Sequence, residues 1–279
     1  MSAENSNLYG YRHKLQPLYD PAFAQRKDVD TNAGLWLDKY IQNQDREDTT
    51  SRSKLIEKVV AFPLPAAYSH FYHRWEQALT EYGVTQQQKR LARTKGRMII
   101  GLGDESVLET SIALHHTYGV PYIPGSALKG LAASYARQRL GEDWKKGKNT
   151  ESAYNVVFGD IEEAGYITFF DALPYVPPNM QPECALYQDV ITVHHPNYYQ
   201  KKDKPPSDWE SPTPIPFLSA TGAYLIALAA PNLEHGELWV EKTFEILEHA
   251  LKEMGIGAKT SSGYGRMSFA AMPKNGEAR

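Results

Sequence analysis

The order of elements predicted between residue 97 and the C-terminus indicates an α+β fold with a ferredoxin-like core. The apolar patterns there follow the order strand, helix, strand, strand, helix, loop, strand. This is the β-α-β-β-α-β order of the split unit of the ferredoxin-like fold. We therefore expect the core at residues 95–273, a partly helical N-terminal extension at residues 1–94 and a short tail at residues 274–279.

The composition is that of a globular protein without a general affinity for polyanions. Of the 279 residues, 42% are hydrophobic, which is enough for a buried core, and the formal net charge is −3. A nucleic-acid surface would therefore have to be a local patch. The single cysteine, Cys184, excludes an intramolecular disulfide and a cysteine-clustered zinc site. We expect no signal peptide. We also expect no membrane contact, since the longest apolar run (residues 223–230) is far shorter than the roughly 20 residues of a membrane span. A soluble, cytoplasmic protein is therefore expected.

In the N-terminal extension, the sequence pattern predicts two helices with a polar segment between them. Residues 35–41 fit a short amphipathic helix, whereas residues 42–53 are mostly charged and polar and are expected to be solvated or mobile. Residues 66–82 predict a helix that Gly83 ends. One face of this helix is aromatic, and we interpret it as core, with base stacking or the docking of a partner protein as alternatives. Its members are Tyr68, Phe71, Tyr72, Trp75, Leu79 and Tyr82.

A basic run follows at residues 85–97, with five cations and no acidic residue. It is either a solvated face or a local cationic patch for RNA, and in the second case Arg93, Lys95 and Arg97 are the candidate contacts. Residues 98–102 then predict the first strand of the core.

Residues 123–130 predict a turn that opens a helix. Pro124 and Gly125 interrupt the preceding segment, and Ser126 is placed to cap the helix. Lys129 lies in the first turn, where a cation opposes the helix dipole at a cost of roughly 0.3–1 kcal/mol. An anion bound to the free amides would reverse that penalty; an exposed lysine tolerated at little cost is the alternative.

The remaining core elements are predicted from alternation and helical periodicity. Strands are expected at residues 166–170, 190–193, 217–230 and 266–269, and the clearest helix at residues 237–254. Residues 141–165 and 200–216 are expected to be loop insertions. An antiparallel sheet with its helices on one face leaves the other face open, and RNA-recognition (RRM-like) domains of this architecture bind RNA there.

The glycine-rich stretch at residues 255–266 is the main candidate site. Glycine permits unusual backbone angles and a close approach of the main chain, and successive free amides can form an anion-binding concavity. The stretch therefore predicts a loop that holds a phosphate-bearing ligand. It is not a P-loop, because Lys259 follows an alanine and the order of elements is helix, loop, strand. Its candidate ligand-binding residues are Gly255, Gly257, Lys259, Thr260, Ser261, Ser262, Gly263, Tyr264, Gly265 and Arg266.

Two histidine pairs, at residues 115–116 and 194–195, could ligate a metal or supply acid–base chemistry for RNA cleavage. Adjacent histidines on a strand point to opposite faces, and no carboxylate spacing accompanies them, so we expect no metal site and no cofactor. We favour structural or RNA-contacting roles, with His194 and His195 as candidate RNA contacts. The roles of His115 and His116 stay open.

The motifs at residues 255–266 and 123–130 both resemble motifs of one known protein family. The stretch Gly255-Ile-Gly-Ala-Lys-Thr-Ser-Ser-Gly-Tyr-Gly-Arg266 resembles the C-terminal glycine-rich loop of the RAMP superfamily of CRISPR-associated proteins. The segment at residues 123–130 is similar to a second recurring motif of that superfamily. The longer string at residues 114–130 most resembles the sixth-subunit family of the Cmr complexes, the type III-B CRISPR effectors. The resemblance covers roughly residues 95–272.

This resemblance implies a non-catalytic RNA-binding subunit of an antiviral ribonucleoprotein, with a CRISPR guide RNA, its target RNA duplex and other Cmr-type subunits as partners. It implies contacts with the guide backbone towards its 3′ end, made by residues 255–266, and contacts of Ser126 and Lys129 with RNA or with the glycine-rich loop. The alternative is a metal-independent endoribonuclease that processes CRISPR transcripts, because processing enzymes share the superfamily.

Overall fold

The computed structural model describes residues 31–41, 48–104, 106, 108, 110–145, 152–178, 180–193, 213–231 and 233–272. The α-helices in these ranges are α1 (Ala33–Lys39), α2 (Thr49–Val60), α3 (Ala66–Glu81), α4 (Gly125–Arg139), α5 (Ala153–Phe158) and α6 (Gly236–Glu253). The strands are β1 (Lys89–Thr94), β2 (Thr168–Phe169), β3 (Leu173–Pro174), β4 (Cys184–Val193), β5 (Thr213–Ala229) and β6 (Met267–Ala270). None of these helices has the length and apolar character that crossing a membrane requires.

The strands form an antiparallel sheet organised around β5. Its strand order is β2-β5-β1-β6, and β3 and β4 also pair with β5. The first part of β5, up to Gly222, pairs with β4 in a long two-stranded ribbon, and the part from Ala223 onward pairs with β1, β2 and β3. The predicted mixture of helices and antiparallel strands is confirmed.

The first strand of the sheet differs from the prediction. It is β1, within the basic run, whereas Met98 and Ile99 make only isolated bridges, to Ala220 and Gly257. Strand β1 has the sequence Lys-Arg-Leu-Ala-Arg-Thr, and its three cations can enter the sheet because carboxylates elsewhere in the fold pair with them. The sheet therefore includes residues 89–94, which the predicted boundary at residue 95 assigned to the N-terminal extension.

One face of the sheet packs against α4 and α6. Leu128 of α4 and Leu247 of α6 lie in one core cluster with Tyr224 and Ile226 of β5 and Ala92 of β1. All five residues are buried, and side chains at alternate positions of a strand share a face. The helices at both ends of the predicted core thus occupy this face, and the prediction of a helix at residues 237–254 is confirmed.

Helix α3 covers the opposite face, so the expectation of an open sheet is wrong. Tyr68 and Tyr72 of α3 are each 0% exposed and lie in one cluster with Leu91 of β1 and Leu225 of β5. The Tyr68 hydroxyl donates to the carbonyl of Pro174 at 2.7 Å. The aromatic face of α3 is core, as predicted, and it occupies the surface on which an RRM-like domain would bind RNA.

The polar segment predicted at residues 42–53 ends in a helix. Asp48 caps α2 by accepting from the amide of Ser51 at 3.0 Å, and Ile56 and Val59 of α2 pack in a cluster with Leu218 of β5. The expectation of a solvated segment is therefore wrong from residue 48 onward. Residues 42–47 lie outside the described residues. The short helix predicted at residues 35–41 is found as α1.

Other boundaries also shift. Strand β2 is shorter than predicted, β4 begins at Cys184, well before residue 190, and β5 begins at Thr213, inside the predicted insertion at 200–216. The predicted insertion at 141–165 contains α5, whose Val157 is buried in the core. The last strand is found where it was predicted. Residues 1–30 and the tail from residue 273 lie outside the described residues.

Candidate functional site

The glycine-rich loop at residues 255–266 connects α6 to β6 and is fastened to the segment that follows β1. The amide of Gly265 donates to the carbonyl of Arg97 at 2.8 Å, and the amide of Ala258 donates to that of Ile99 at 2.8 Å. Across the loop itself, the amide of Ile256 donates to the carbonyl of Gly265 at 2.9 Å. The ends of the loop are therefore fixed by the protein's own backbone.

Two of the loop glycines are required by this packing. Gly257 has φ of +86°, and a Cβ there would lie 2.0 Å from the carbonyl oxygen of Ile99. Gly265 has φ of +73°, and its Cβ would lie 1.9 Å from the carbonyl oxygen of Ile256. Side chains at these positions would clash with backbone. These glycines therefore allow two backbone segments of the chain to lie close together, rather than allowing a ligand to approach.

The middle of the loop faces solvent. Lys259 has a left-handed backbone (φ 55°), and a 3₁₀ turn follows at Thr260–Ser262. Ser261, Ser262 and Gly263 are exposed. The amides of residues 259, 260 and 261 donate to no acceptor among the described residues. Successive free amides beside a left-handed residue are an arrangement that can bind an anion, and anion binding by this loop stays a prediction.

Two lysines, one in the glycine-rich loop and one next to its C-terminal end, have no ion-pair partner among the described residues. Lys95 is exposed and adjacent to the loop, since its amide donates to the carbonyl of Arg266 at 2.8 Å. Lys259 is half-buried. Neither ammonium group lies within ion-pairing distance of a carboxylate in the part of the chain that the structure describes. Both remain available to an anion.

The other cations near the loop have partners. Arg93 is paired with Glu183 and Arg97 with Asp189. Arg266 donates to the carbonyl of Lys252 at 3.1 Å, at the C-terminal end of α6, where a cation is favourable. RNA contact by these three arginines stays a prediction, and each would have to share or exchange its present partner.

The remainder of the basic run is also paired. Arg90 contacts Glu241 of α6 at 2.5 Å and lies 4.7 Å from the centre of the Phe244 ring. Lys89 is buried and lies 3.6 Å from Glu76 of α3. Within residues 85–97, Lys95 is thus the cation without an ion-pair partner among the described residues. The run serves mainly to fasten β1 to its neighbours.

Asp189, which no sequence pattern indicated, joins the glycine-rich loop to the β4–β5 ribbon. Its carboxylate accepts from Arg97, from the hydroxyl of Ser219 at 2.6 Å and from the hydroxyl of Tyr264 at 3.1 Å. Burial, followed by the charge of Asp189, raises the pKa of Tyr264, so its hydroxyl stays a donor at neutral pH. The Tyr264 ring packs against Phe217, with ring centres 6.2 Å apart.

The second motif opens α4, although Ser126 does not cap it. The N-cap position is Pro124, Ser126 is exposed, and Asp171 accepts from the amide of Gly125 at 2.7 Å. The helix N-terminus therefore already holds a carboxylate, which opposes the anion predicted there. Lys129 is half-buried and has no ion-pair partner among the described residues.

The two motifs are joined through an intervening segment. No hydrogen bond or ion pair of the described residues links Ser126 or Lys129 to residues 255–266. Instead, the amide of Ala113 donates to the carbonyl of Ile100 at 2.7 Å, and the amide of Tyr122 donates to the carbonyl of Ala113 at 3.3 Å. Residues 97–100 and 113–122 thus lie between the glycine-rich loop and the start of α4.

His115 lies in an aromatic cluster. Its ring centre is 4.9 Å from that of Phe71 and 5.2 Å from that of Tyr118, and its Nδ1 accepts from the amide of Thr117 at 3.3 Å. Burial lowers the pKa of His115 below its ordinary value, which favours the neutral ring. His115 and His116 line a cavity of about 430 Å³ beside α1. The second pair, His194 and His195, lies outside the described residues.

The described residues contain no group of three or more histidine, cysteine or acidic side chains arranged to hold a metal ion. The single thiol is not activated either, since burial raises the pKa of Cys184 to about 12.

Comparisons with known proteins agree with the resemblance seen in the sequence. A model of the RAMP superfamily matches residues 91–268. The Cmr subunit Cmr6 of Pyrococcus furiosus is 31% identical over 277 aligned positions, which cover 79% of each chain. The Cmr6 subunit of Saccharolobus solfataricus is 29% identical over 180 positions, or 61% of this chain and 54% of that one.

The fold is shared with a solved structure. A chain in the cryo-EM structure of the type III-B Cmr-beta complex bound to cognate target RNA superimposes with a TM-score of 0.58 at 18% identity. The match covers 96% of this chain and 88% of that chain. At this identity the likeness establishes a common fold.

Proposed function

This chain belongs to the RAMP superfamily, and on that premise we propose that it is a non-catalytic RNA-binding subunit of a type III-B CRISPR effector complex. Its partners are the guide RNA with its target duplex and other Cmr-type subunits. The similarity to Cmr6 subunits over most of the chain supports the assembly, since both relatives are subunits of Cmr systems. Contact with the guide towards its 3′ end is part of the proposal.

The observation that carries the RNA-binding part is the exposed turn at residues 259–263. It combines free amides at residues 259–261 with the unpaired Lys259, and the unpaired Lys95 adjoins the C-terminal end of the same loop at Arg266. Amide concavities and lysines bind phosphate oxygens without reading base identity. The turn therefore suits an RNA backbone, with affinity that depends on salt.

We also propose that the core is ferredoxin-like, beginning at β1. The strand order β2-β5-β1-β6 and the positions of α4 and α6 between the strands support this. In this arrangement the RNA path follows the rim formed by the glycine-rich loop, because α3 occupies the sheet face.

The test is the double variant Lys95→Ala with Lys259→Ala in the full chain, measured by filter binding to guide RNA across a salt series. Each lost phosphate contact to single-stranded RNA removes about 0.7 from the slope of log K against log salt, so the slope should become less steep by about 1.4. The control is Lys39→Ala with Lys54→Ala, which removes two exposed lysines from α1 and α2.

Equal behaviour of the two double variants would refute the assigned site. The endoribonuclease alternative is tested with the same protein by incubating repeat-containing RNA in metal-free buffer. We expect intact RNA, and a single defined cut would overturn the non-catalytic assignment.

A further inference from the structure

The carboxylate of Asp189 is the meeting point of side chains from three separate parts of the chain. Arg97 follows β1, Ser219 lies on β5, and Tyr264 belongs to the glycine-rich loop. The Asp189 side chain is 14% exposed. A carboxylate so enclosed requires its donors, because an unpaired charge away from water is costly.

Aromatic rings surround the same contact. Asp189 and Tyr187 lie two positions apart on β4 and share a face, and the Arg97 guanidinium lies 4.8 Å from the centre of the Tyr187 ring. Phe217, which is paired with Asp189 across the ribbon, packs against Tyr264. The β4–β5 ribbon therefore holds the loop by a hydroxyl hydrogen bond and ring packing, and it holds Arg97, whose carbonyl accepts from Gly265 of the loop, by an ion pair.

The position of Tyr264 in the chain links the Asp189 contact to the exposed turn at residues 259–263. Tyr264 immediately follows the exposed turn at residues 259–263, and its amide bonds back to the carbonyl of Lys259 at 3.4 Å. Fixing the Tyr264 side chain thus fixes the C-terminal end of the turn that presents the free amides and Lys259. The other end is fixed by the bond from Ala258 to Ile99.

We propose that Asp189 is a positioning residue for RNA binding: it fastens Tyr264 and Arg97 to the β4–β5 ribbon so that the exposed turn keeps one geometry. Asp189 itself carries the wrong charge to contact phosphate and acts through Tyr264 and Arg97. This inference rests on the proposed RNA-binding function.

A charge-matched pair of variants separates positioning from electrostatics. Asp189→Ala and Glu183→Ala each remove one carboxylate and release one arginine, Arg97 or Arg93. If charge alone mattered, both variants would bind RNA as well as or better than the parent chain, because each loses one negative charge. Positioning predicts that Asp189→Ala binds guide RNA roughly 10-fold more weakly while Glu183→Ala does not.

Two further measurements identify the mechanism. Hydrogen exchange of residues 255–266 should quicken in Asp189→Ala and stay unchanged in Glu183→Ala, with both proteins folded at the assay temperature. Tyr264→Phe should weaken RNA binding in the parent chain and add little in the Asp189→Ala background, because the hydroxyl then has lost its acceptor. If Asp189→Ala does not fold, Tyr264→Phe breaks the hydroxyl contact with Asp189 without a change of charge, and it should then quicken hydrogen exchange of residues 255–266 and weaken RNA binding.

The outcomes are distinct. Parental or tighter RNA binding by Asp189→Ala, or additive effects with Tyr264→Phe, would overturn the positioning role. Failure of the parent chain to bind guide RNA even at low salt, where phosphate contacts are strongest, would instead overturn the proposed function on which the inference rests.

Discussion

Tyr68 and Tyr72 offer a direct test of how α3 covers the sheet. Both are fully buried and lie one helical turn apart on the same face. The Tyr68 hydroxyl donates to the carbonyl of Pro174 at 2.7 Å, whereas the Tyr72 hydroxyl has no partner among the described residues. The substitutions Tyr68→Phe and Tyr72→Phe remove the same atom from two environments that differ in this respect.

The expected effects have different sizes. Tyr68→Phe leaves the buried carbonyl of Pro174 without this donor, which costs about 1–3 kcal/mol. Tyr72→Phe removes a buried hydroxyl that gains nothing from the fold, so its effect on the free energy of unfolding should be near zero or slightly stabilising. Each kcal/mol corresponds to roughly 2–4 °C in Tm for a chain of this size class.

The assay is urea denaturation of the two variants and the parent chain at 25 °C, followed by circular dichroism. The free energies of unfolding of the two variants should differ by about 1 kcal/mol or more, with Tyr68→Phe the less stable. Equal losses, or a larger loss for Tyr72→Phe, would show that the reasoning about the covered face is wrong.

Three other predictions follow from individual groups. Burial lowers the pKa of His115 below 6.5 in the folded chain, so at acidic pH the unfolded chain binds more protons than the folded chain. Stability should therefore fall as the pH drops from 7 to 5. The variant His115→Phe should flatten this decline, measured by thermal melting. Cys184, with a pKa of about 12, should react slowly with a thiol reagent at pH 8 in the folded chain and rapidly in urea, and rapid native labelling would contradict its burial. Gly257→Ala should cost more than about 2 kcal/mol of stability, because the new Cβ would clash with the backbone of Ile99. Gly263→Ala has open space around it and should cost only the left-handed backbone strain of about 1–2 kcal/mol. Equal losses of stability in the two variants would refute the packing argument.

The elements that the sequence predicted well are those whose apolar periodicity is long and uninterrupted. Helices α3 and α6 have apolar side chains every three or four residues over at least four turns, and their ends are close to the predicted ones. Strand β1 was missed because its partners are distant in sequence. Its cations pair with Glu76, Glu183 and Glu241, and no local pattern indicates that a basic segment will be neutralised by such residues.

The candidate site was located by glycine spacing but not explained by it. The positions of the glycines correctly indicated a loop with unusual backbone angles. Their reason is contact with residues 97–99 and within the loop, which depends on tertiary structure. Asp189 and Asp171 were missed for the same reason, since the role of a single aspartate on or next to a strand depends on donors that come from distant parts of the sequence.

The arrangement of charge constrains how the chain would hold RNA under the proposed function. In the part of the chain that the structure describes, helices α4 and α6 pack on one face of the sheet and α3 on the other, which leaves the rim near the glycine-rich loop as the proposed place for phosphates. Most cations there are already paired, and the net charge of −3 gives no general attraction. We therefore infer that the isolated chain makes few phosphate contacts and binds RNA weakly at physiological salt, with a shallow salt slope. Retention of RNA would then depend on neighbouring subunits that hold the same strand, through the high effective concentration of linked sites.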